Sequence, residues 1–286
     1  MELGTLQFLF FAALVIIGFI LWWMELLPLE ILPKVKHVLR IVSAPATVFC
    51  GQAGAGKSSF LEFLKDHPIP QYQRTYAIVR KLIVFHQIEG EKKIVLKNVH
   101  DVPADRLDVL AIDIERLQPR LVLAILDGSV VACDGLDHCS SNPLALHAAR
   151  MVFDQLELSL KAQGEGLSMK VLGVLVNKAD LWCADAAAEK KRVVKLVQER
   201  LKAYPLLGEA IRQGRIQVFV RAIALVSPRD FDTQDALDDI ARHSARLSND
   251  TIAEFKGRAN DIIAEAAQGM RVQAQTLLDM ARRSRR

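Results

Sequence analysis

The run Gly51-Gln52-Ala53-Gly54-Ala55-Gly56-Lys57-Ser58 constrains this chain more than any other feature. It fits the pattern G-x-x-x-x-G-K-[ST] at every defined position, with an apolar strand-like run, Thr47–Cys50, entering it and a helical pattern, Ser58–Lys65, leaving it. Glycines between a strand and a helix let successive backbone N–H groups curl around phosphate oxygens. In such a loop Lys57 neutralises the outer phosphates, Ser58 offers its hydroxyl to Mg²⁺, and Ser59 continues the first helical turn. A chance glycine-rich turn is the plain alternative, and it does not require strand, loop, Lys-Ser and helix in this order.

A loop of this kind belongs on an α/β sheet, and the rest of the chain reads that way. Apolar runs at Ala46–Cys50, Tyr76–Phe85, Lys93–Val102, Leu121–Asp127, Lys170–Val176 and Ile216–Val220 predict six strands. Helical patterns lie at Lys57–Lys65, Ala104–Leu117, Leu144–Ala162, Ala187–Tyr204 and Thr233–Leu247. Only His86–Lys92 separates the second and third strands, too short for a crossover helix, so those two form an antiparallel hairpin. The expectation is a six-stranded, mostly parallel sheet flanked by helices, preceded by one transmembrane helix.

Asn177-Lys178-Ala179-Asp180 follows the fifth predicted strand. A carboxylate there can accept from guanine N1–H and the 2-amino group together. Adenine offers neither donor and would leave the charge desolvated and unpaired, which is the physical basis of selection. On its own the tetrapeptide also reads as a helix start capped by Asp180.

With both motifs present, the chain resembles the Ras-like small GTPases, and among them the membrane-anchored beta subunits of the signal-recognition-particle receptor. The resemblance covers about Ala46 to Ala224 plus the N-terminal span, and is specific at the two motifs. It implies GTP or GDP with Mg²⁺ as ligands, Asn177 fixing the loop, the Lys178 stem lying along the base, and Asp180 reading guanine. It also implies a Mg²⁺-binding threonine in the first switch, where Thr75 stands eighteen residues past Lys57, although a strand-edge threonine fits that position equally. Asp101-Val102-Pro103-Ala104 occupies the place of the family's DxPG, so Asp101 would hold Mg²⁺ through water. Here the chain departs from its pattern: Ala104 replaces the glycine, and Asp105 stands where many GTPases carry a water-orienting Gln. Leu121–Asp127 is the competing carboxylate-ended strand, and strand order favours Asp101. The family's last base loop, near Arg221-Ala222-Ile223-Ala224, has no clear counterpart.

Leu3–Met24 is uncharged, and its 22 residues at 1.5 Å rise span a hydrocarbon core of roughly 30 Å. Trp22 and Trp23 close it at interfacial depth. A cleaved signal peptide would be shorter, with a basic start and small residues at its end; Glu2 and Trp-Trp-Met-Glu stand in those places. Lys34, Lys36 and Arg40 follow the span and none precedes it, which predicts a cytosolic C-terminal part. On the resemblance, the membrane is the endoplasmic reticulum in a eukaryote and the inner membrane in a bacterium.

Three segments result: an anchor and juxtamembrane stretch over 1–40, a nucleotide-binding domain over 41–247, and a C-terminal helix over 248–286 capped by Asn249 or Asp250. That helix carries an apolar stripe from Ile252 to Met280, suited to packing on its own domain or on a partner. The net charge is +4, all of it matched by Arg282, Arg283, Arg285 and Arg286, so the body has no excess that would favour direct nucleic-acid binding. Cys50, Cys133, Cys139 and Cys183 show no zinc spacing; Cys133 and Cys139 read as reduced thiols or as a pair. The expected partners are membrane lipid through residues 3–24 and a cytosolic or membrane protein at the switch regions. The leading expectation is a slow regulatory GTPase that recruits a partner to the membrane. Alternatives are a nucleotide-loaded scaffold without turnover and a nucleotide-binding subunit of a membrane secretion or envelope complex.

Overall fold

The computed structural model describes residues 41–64, 79–87, 93–129, 143–164, 166–182, 186–226 and 231–283. Residues 43–286 form one compact unit, and the expected span 3–24 lies outside the described residues. No helix among the described residues is long and apolar enough to cross a membrane. Thr75, Cys133, Cys139 and Cys183 also lie outside the described residues.

The elements of the compact unit alternate along the chain. Strand β1 is Ala46–Cys50, followed by helix α1, Lys57–Phe63, then β2, Val79–Gln87, and β3, Lys93–Asp101. A 3₁₀ segment over Ala104–Val109 leads into α2, Leu110–Leu117, and β4, Leu121–Asp127. After α3, Pro143–Gln163, come β5, Val171–Asn177, α4, Ala179–Trp182, α5, Ala186–Ala203, and α6, Pro205–Arg212. Strand β6, Gln217–Ala222, and the long α7, Thr233–Arg283, complete the unit. The sheet order is β2-β3-β1-β4-β5-β6. Five strands run parallel, and β2 joins the β3 edge antiparallel, as the short connection between them requires.

Strands β4 and β5 are buried on both faces, the mark of parallel strands covered by helices on either side. Alternate residues divide between two cores. Val48, Val122, Leu126, Val174 and Val176 pack under α2, α3, α5 and α6. Phe49, Leu123, Ile125, Leu175 and Phe219 pack under α1 and α7. This period-two division is what a strand imposes on its side chains.

Three departures from the sequence reading have local causes. Ala104–Leu117 is not one helix: it opens as a 3₁₀ segment after Pro103 and breaks at Arg106, whose φ of −113° is not helical. Helix α6 was not expected. Tyr204 is extended and Pro205 sits at the first helical turn, where its missing N–H costs nothing, so the chain ends one helix and starts another. The boundary expected at residue 248 is also absent, because α7 runs unbroken from Thr233 to Arg283. Neither Asn249 nor Asp250 caps a new helix. Thr251 Oγ1 donates to the Leu247 carbonyl at 2.9 Å, one helical turn back, and Arg120 Nη1 donates to Thr251 Oγ1 at 2.6 Å. Further back, Ser244 Oγ donates to the Val95 carbonyl at 2.8 Å and ties α7 to β3.

Candidate functional site

The strand ends bring the sequence-predicted residues to one edge. Phe49 pairs with Asp101, so β1 and β3 end together, and Asp127 pairs with Asn177, so β4 and β5 end together. Because Cys50 pairs with Ala124, the second pair reaches three residues further along the same edge. In an open α/β sheet this edge, beside the strand from which the order runs both ways, is where ligands bind. The loop Gly51–Gly56 leaves β1 here.

The loop's shape depends on two glycines. Gly51 has φ +149°, and a Cβ on it would stand 1.9 Å from the Ile125 carbonyl oxygen. Gly56 has φ +89° at the N-cap of α1, and a Cβ there would stand 2.3 Å from Asn177 Nδ2. No side chain fits either place. Between them, Gln52 and Ala55 are buried while Ala53 and Gly54 are exposed on the rim. The Ala55 N–H donates to the Gln52 carbonyl at 3.3 Å.

Lys57 begins α1 and is only 7% exposed. Its Nζ donates to the Gly51 carbonyl at 2.9 Å and to the Gln52 carbonyl at 3.1 Å. The ammonium therefore lies over the mouth of its own loop. Ser58 Oγ donates to Asp101 Oδ2 at 2.9 Å, and Asp101 is 2% exposed at the end of β3. Ser59 is half-buried on the next position of α1.

A hydroxyl and a carboxylate brought together beside a Lys-capped loop are hard oxygen donors of the sort Mg²⁺ takes. Ser58 and Asp101 thus fit the ion; the third expected ligand, Thr75, lies outside the described residues. Among the described residues there is no cluster of three or more His, Cys, Asp or Glu able to hold a metal. The two carboxylate-ended strands differ in what their carboxylates meet. Asp101, not Asp127, meets Ser58. The Cys50 thiol, buried at the end of β1, is pushed up to about 12 by burial, opposed by Lys57 and reinforced by Asp101. It stays protonated and offers no nucleophile.

The second motif meets the loop directly. Asn177, 4% exposed, donates from Nδ2 to the Ala55 carbonyl at 2.9 Å, across 122 positions of sequence. Lys178 takes a left-handed conformation, φ +60°, which turns the chain sharply off β5. Ala179 is buried and donates its N–H to the Ile223 carbonyl at 3.0 Å. Asp180 follows, exposed in the first turn of α4, with no hydrogen-bond partner among the described residues.

Two groups join this site to which the sequence reading assigns no such role. The segment after β6, not recognisable by its residues, lies beside Lys178-Ala179 through the Ile223 bond, and the Thr233 hydroxyl secures it at Ala224 by bonds of 3.1 and 3.2 Å. Asp127 was read as the carboxylate competing with Asp101. It accepts from Lys178 Nζ at 2.6 Å through Oδ2 and from Ser129 through Oδ1. The signal for it was its place at the end of the strand next to β5.

No protein-family model matches the chain, and no curated protein matches it. Solved structures do. The mammalian signal-recognition-particle receptor aligns at 14% identity over 69% of this chain and 98% of its own, with a TM-score of 0.45. A GTP-binding protein from the hyperthermophilic archaeon Sulfolobus solfataricus, in complex with GDP, aligns at 14% identity over 75% of this chain and 57% of its own, with a TM-score of 0.39. A variant of SsGBP aligns at 15% identity over 77% of this chain and 61% of its own, with a TM-score of 0.42. The chain spans less than two thirds of the last two. The chemistry assigned to the site rests on its own geometry and not on these likenesses.

Proposed function

We propose that this chain is a membrane-anchored guanine-nucleotide-binding protein that takes GTP or GDP with Mg²⁺ and acts as a slow regulatory GTPase. The single observation that carries the reading is the bond from Asn177 Nδ2 to the Ala55 carbonyl. It joins a phosphate loop to a base-reading tetrapeptide, and a P-loop protein without base selection has no use for it. In this reading Lys57 neutralises the phosphates, Ser58 and Asp101 hold Mg²⁺ with Thr75, and Asp180 accepts from N1–H and the 2-amino group of guanine. Residues 3–24 anchor the chain in lipid with the nucleotide-binding unit cytosolic, and a partner protein is recruited at the switch regions.

The test is competition for a fluorescent GDP analogue by GDP, ADP and xanthosine diphosphate. GDP should outcompete ADP by at least a hundredfold, since a carboxylate that the bound base desolvates and leaves unpaired costs on the order of 3 kcal/mol. Asp180→Asn should move the preference toward xanthosine diphosphate. Equal displacement by ADP refutes guanine selection. A nucleotide-loaded scaffold without turnover is the second reading, favoured by Ala104 and Asp105 in place of the glycine and the water-orienting Gln.

A further inference from the structure

Asp127 is buried to 8% exposure, yet its charge is engaged by groups that the phosphate and metal chemistry do not use. Oδ1 accepts from the Ser129 N–H at 3.0 Å and from the Ser129 hydroxyl at 2.6 Å, which orients the carboxyl plane. Oδ2 is thereby presented to Lys178 Nζ, 2.6 Å away. Asp127 and Asn177 are register partners at the ends of β4 and β5, so a side chain one residue beyond Asn177 needs to cross only one strand spacing.

The left-handed turn at Lys178 makes that crossing occur. With φ +60° the chain leaves the sheet at once, Ala179 is held by Ile223, and the Lys178 side chain returns over the end of β4. A lysine otherwise samples many rotamers, and its ammonium would be drawn to any nearby phosphate. Here the charge is already neutralised and the stem already directed, and preorganisation of this sort strengthens binding without adding a contact to the ligand. A surface ion pair would do little, but this one lies on a side chain that is mostly buried and otherwise satisfied.

We propose that Asp127 is a positioning residue for the base site: set by Ser129, it holds Lys178 so that its stem lies along the purine plane. The inference rests on the guanine-binding reading and deepens it. It assigns a role to the carboxylate that closes β4 and makes Ser129-Asp127-Lys178 one unit.

The experiment uses the full chain in detergent and reads the affinities of GDP and of inorganic pyrophosphate, which has no base. Asp127→Asn keeps the acceptor for Ser129 but removes the charge facing Lys178. It should weaken GDP roughly tenfold, within the range found for coupled neighbours, and leave pyrophosphate within about twofold. Added to Lys178→Met, it should weaken GDP no further. Unchanged GDP affinity, equal weakening of GDP and pyrophosphate, or effects that multiply in the double variant would each overturn the proposal. If Asp127→Asn does not fold, Ser129→Ala carries the test: selective weakening of GDP supports the role, and wild-type affinity overturns it. A wild-type chain that binds ADP as tightly as GDP brings down the guanine reading and this inference together. A selective wild type with an indifferent Asp127→Asn brings down the inference alone.

Discussion

Replacing Gly56 with alanine tests the joint between the two motifs, and Gly54 supplies its control. Both residues have left-handed backbones, φ +89° and φ +71°. An alanine at either carries the same left-handed penalty, about 1–2 kcal/mol. The space around them differs. Nothing lies within 4 Å of a Cβ on Gly54, whereas a Cβ on Gly56 would stand 2.3 Å from Asn177 Nδ2. Asn177 must then withdraw from the Ala55 carbonyl, 2.9 Å away, and Ala55 is fully buried. A lost hydrogen bond with a buried acceptor left unpaired costs about 1–3 kcal/mol. Gly56→Ala should therefore cost about 2 kcal/mol more than Gly54→Ala. Urea unfolding of residues 43–286 measures the stability difference. Calorimetry with GDP should show roughly thirtyfold weaker binding for Gly56→Ala than for Gly54→Ala, the same energy expressed as affinity. Two variants equal within about 0.5 kcal/mol, the ordinary error of such comparisons, would refute the coupling between loop and base motif.

Lys57→Ala should abolish measurable nucleotide binding while leaving the circular dichroism spectrum intact, because its ammonium bonds the Gly51 and Gln52 carbonyls of the loop; retained calorimetric affinity counts against the phosphate site. Single-turnover GTP hydrolysis by the wild type should run at or below roughly 10⁻⁴ per second, and Asp105→Gln should be faster. A mutant slower than wild type shows that Asp105 is not the obstacle. His243, stacked on the Phe219 ring at a centroid distance of 5.5 Å, is pushed down to about 4 by burial, with Arg246 and Arg242 adding to the shift. A depressed folded value means that its contribution is present above the unfolded value near 6.5 and is lost as pH falls toward 4. His243→Phe should therefore flatten the loss of stability over that window, and an equal fall in urea-unfolding free energy from pH 7 to pH 5 in wild type and variant would refute the assignment.

Much of this site was legible in the chain because its chemistry is local. Gly51 to Ser58 must lie between a strand and a helix, and the short His86–Lys92 connection compels an antiparallel edge; both follow from spacing alone. Asn177, Lys178 and Asp180 were recognisable by residue type at a strand end. Where elements begin and end was less legible. Asn249 and Asp250 have the chemistry of caps, but a cap requires the chain to leave the helix, and contacts between α7, β3 and Arg120 hold it helical through that point.

Contacts between distant strands were not legible at all. The choice between Asp101 and Asp127 could not be made from either strand, since both end in a carboxylate after an apolar run. Strand order already favoured Asp101; the sheet adds the contacts, with Asp101 beside β1 and against Ser58, and Asp127 beside β5 and against Lys178. Residue type determines what a side chain can bond. Only the register of strands far apart in sequence decides which partner it meets, because a 2.9 Å bond between Asn177 and Ala55 leaves no trace in the residues that separate them.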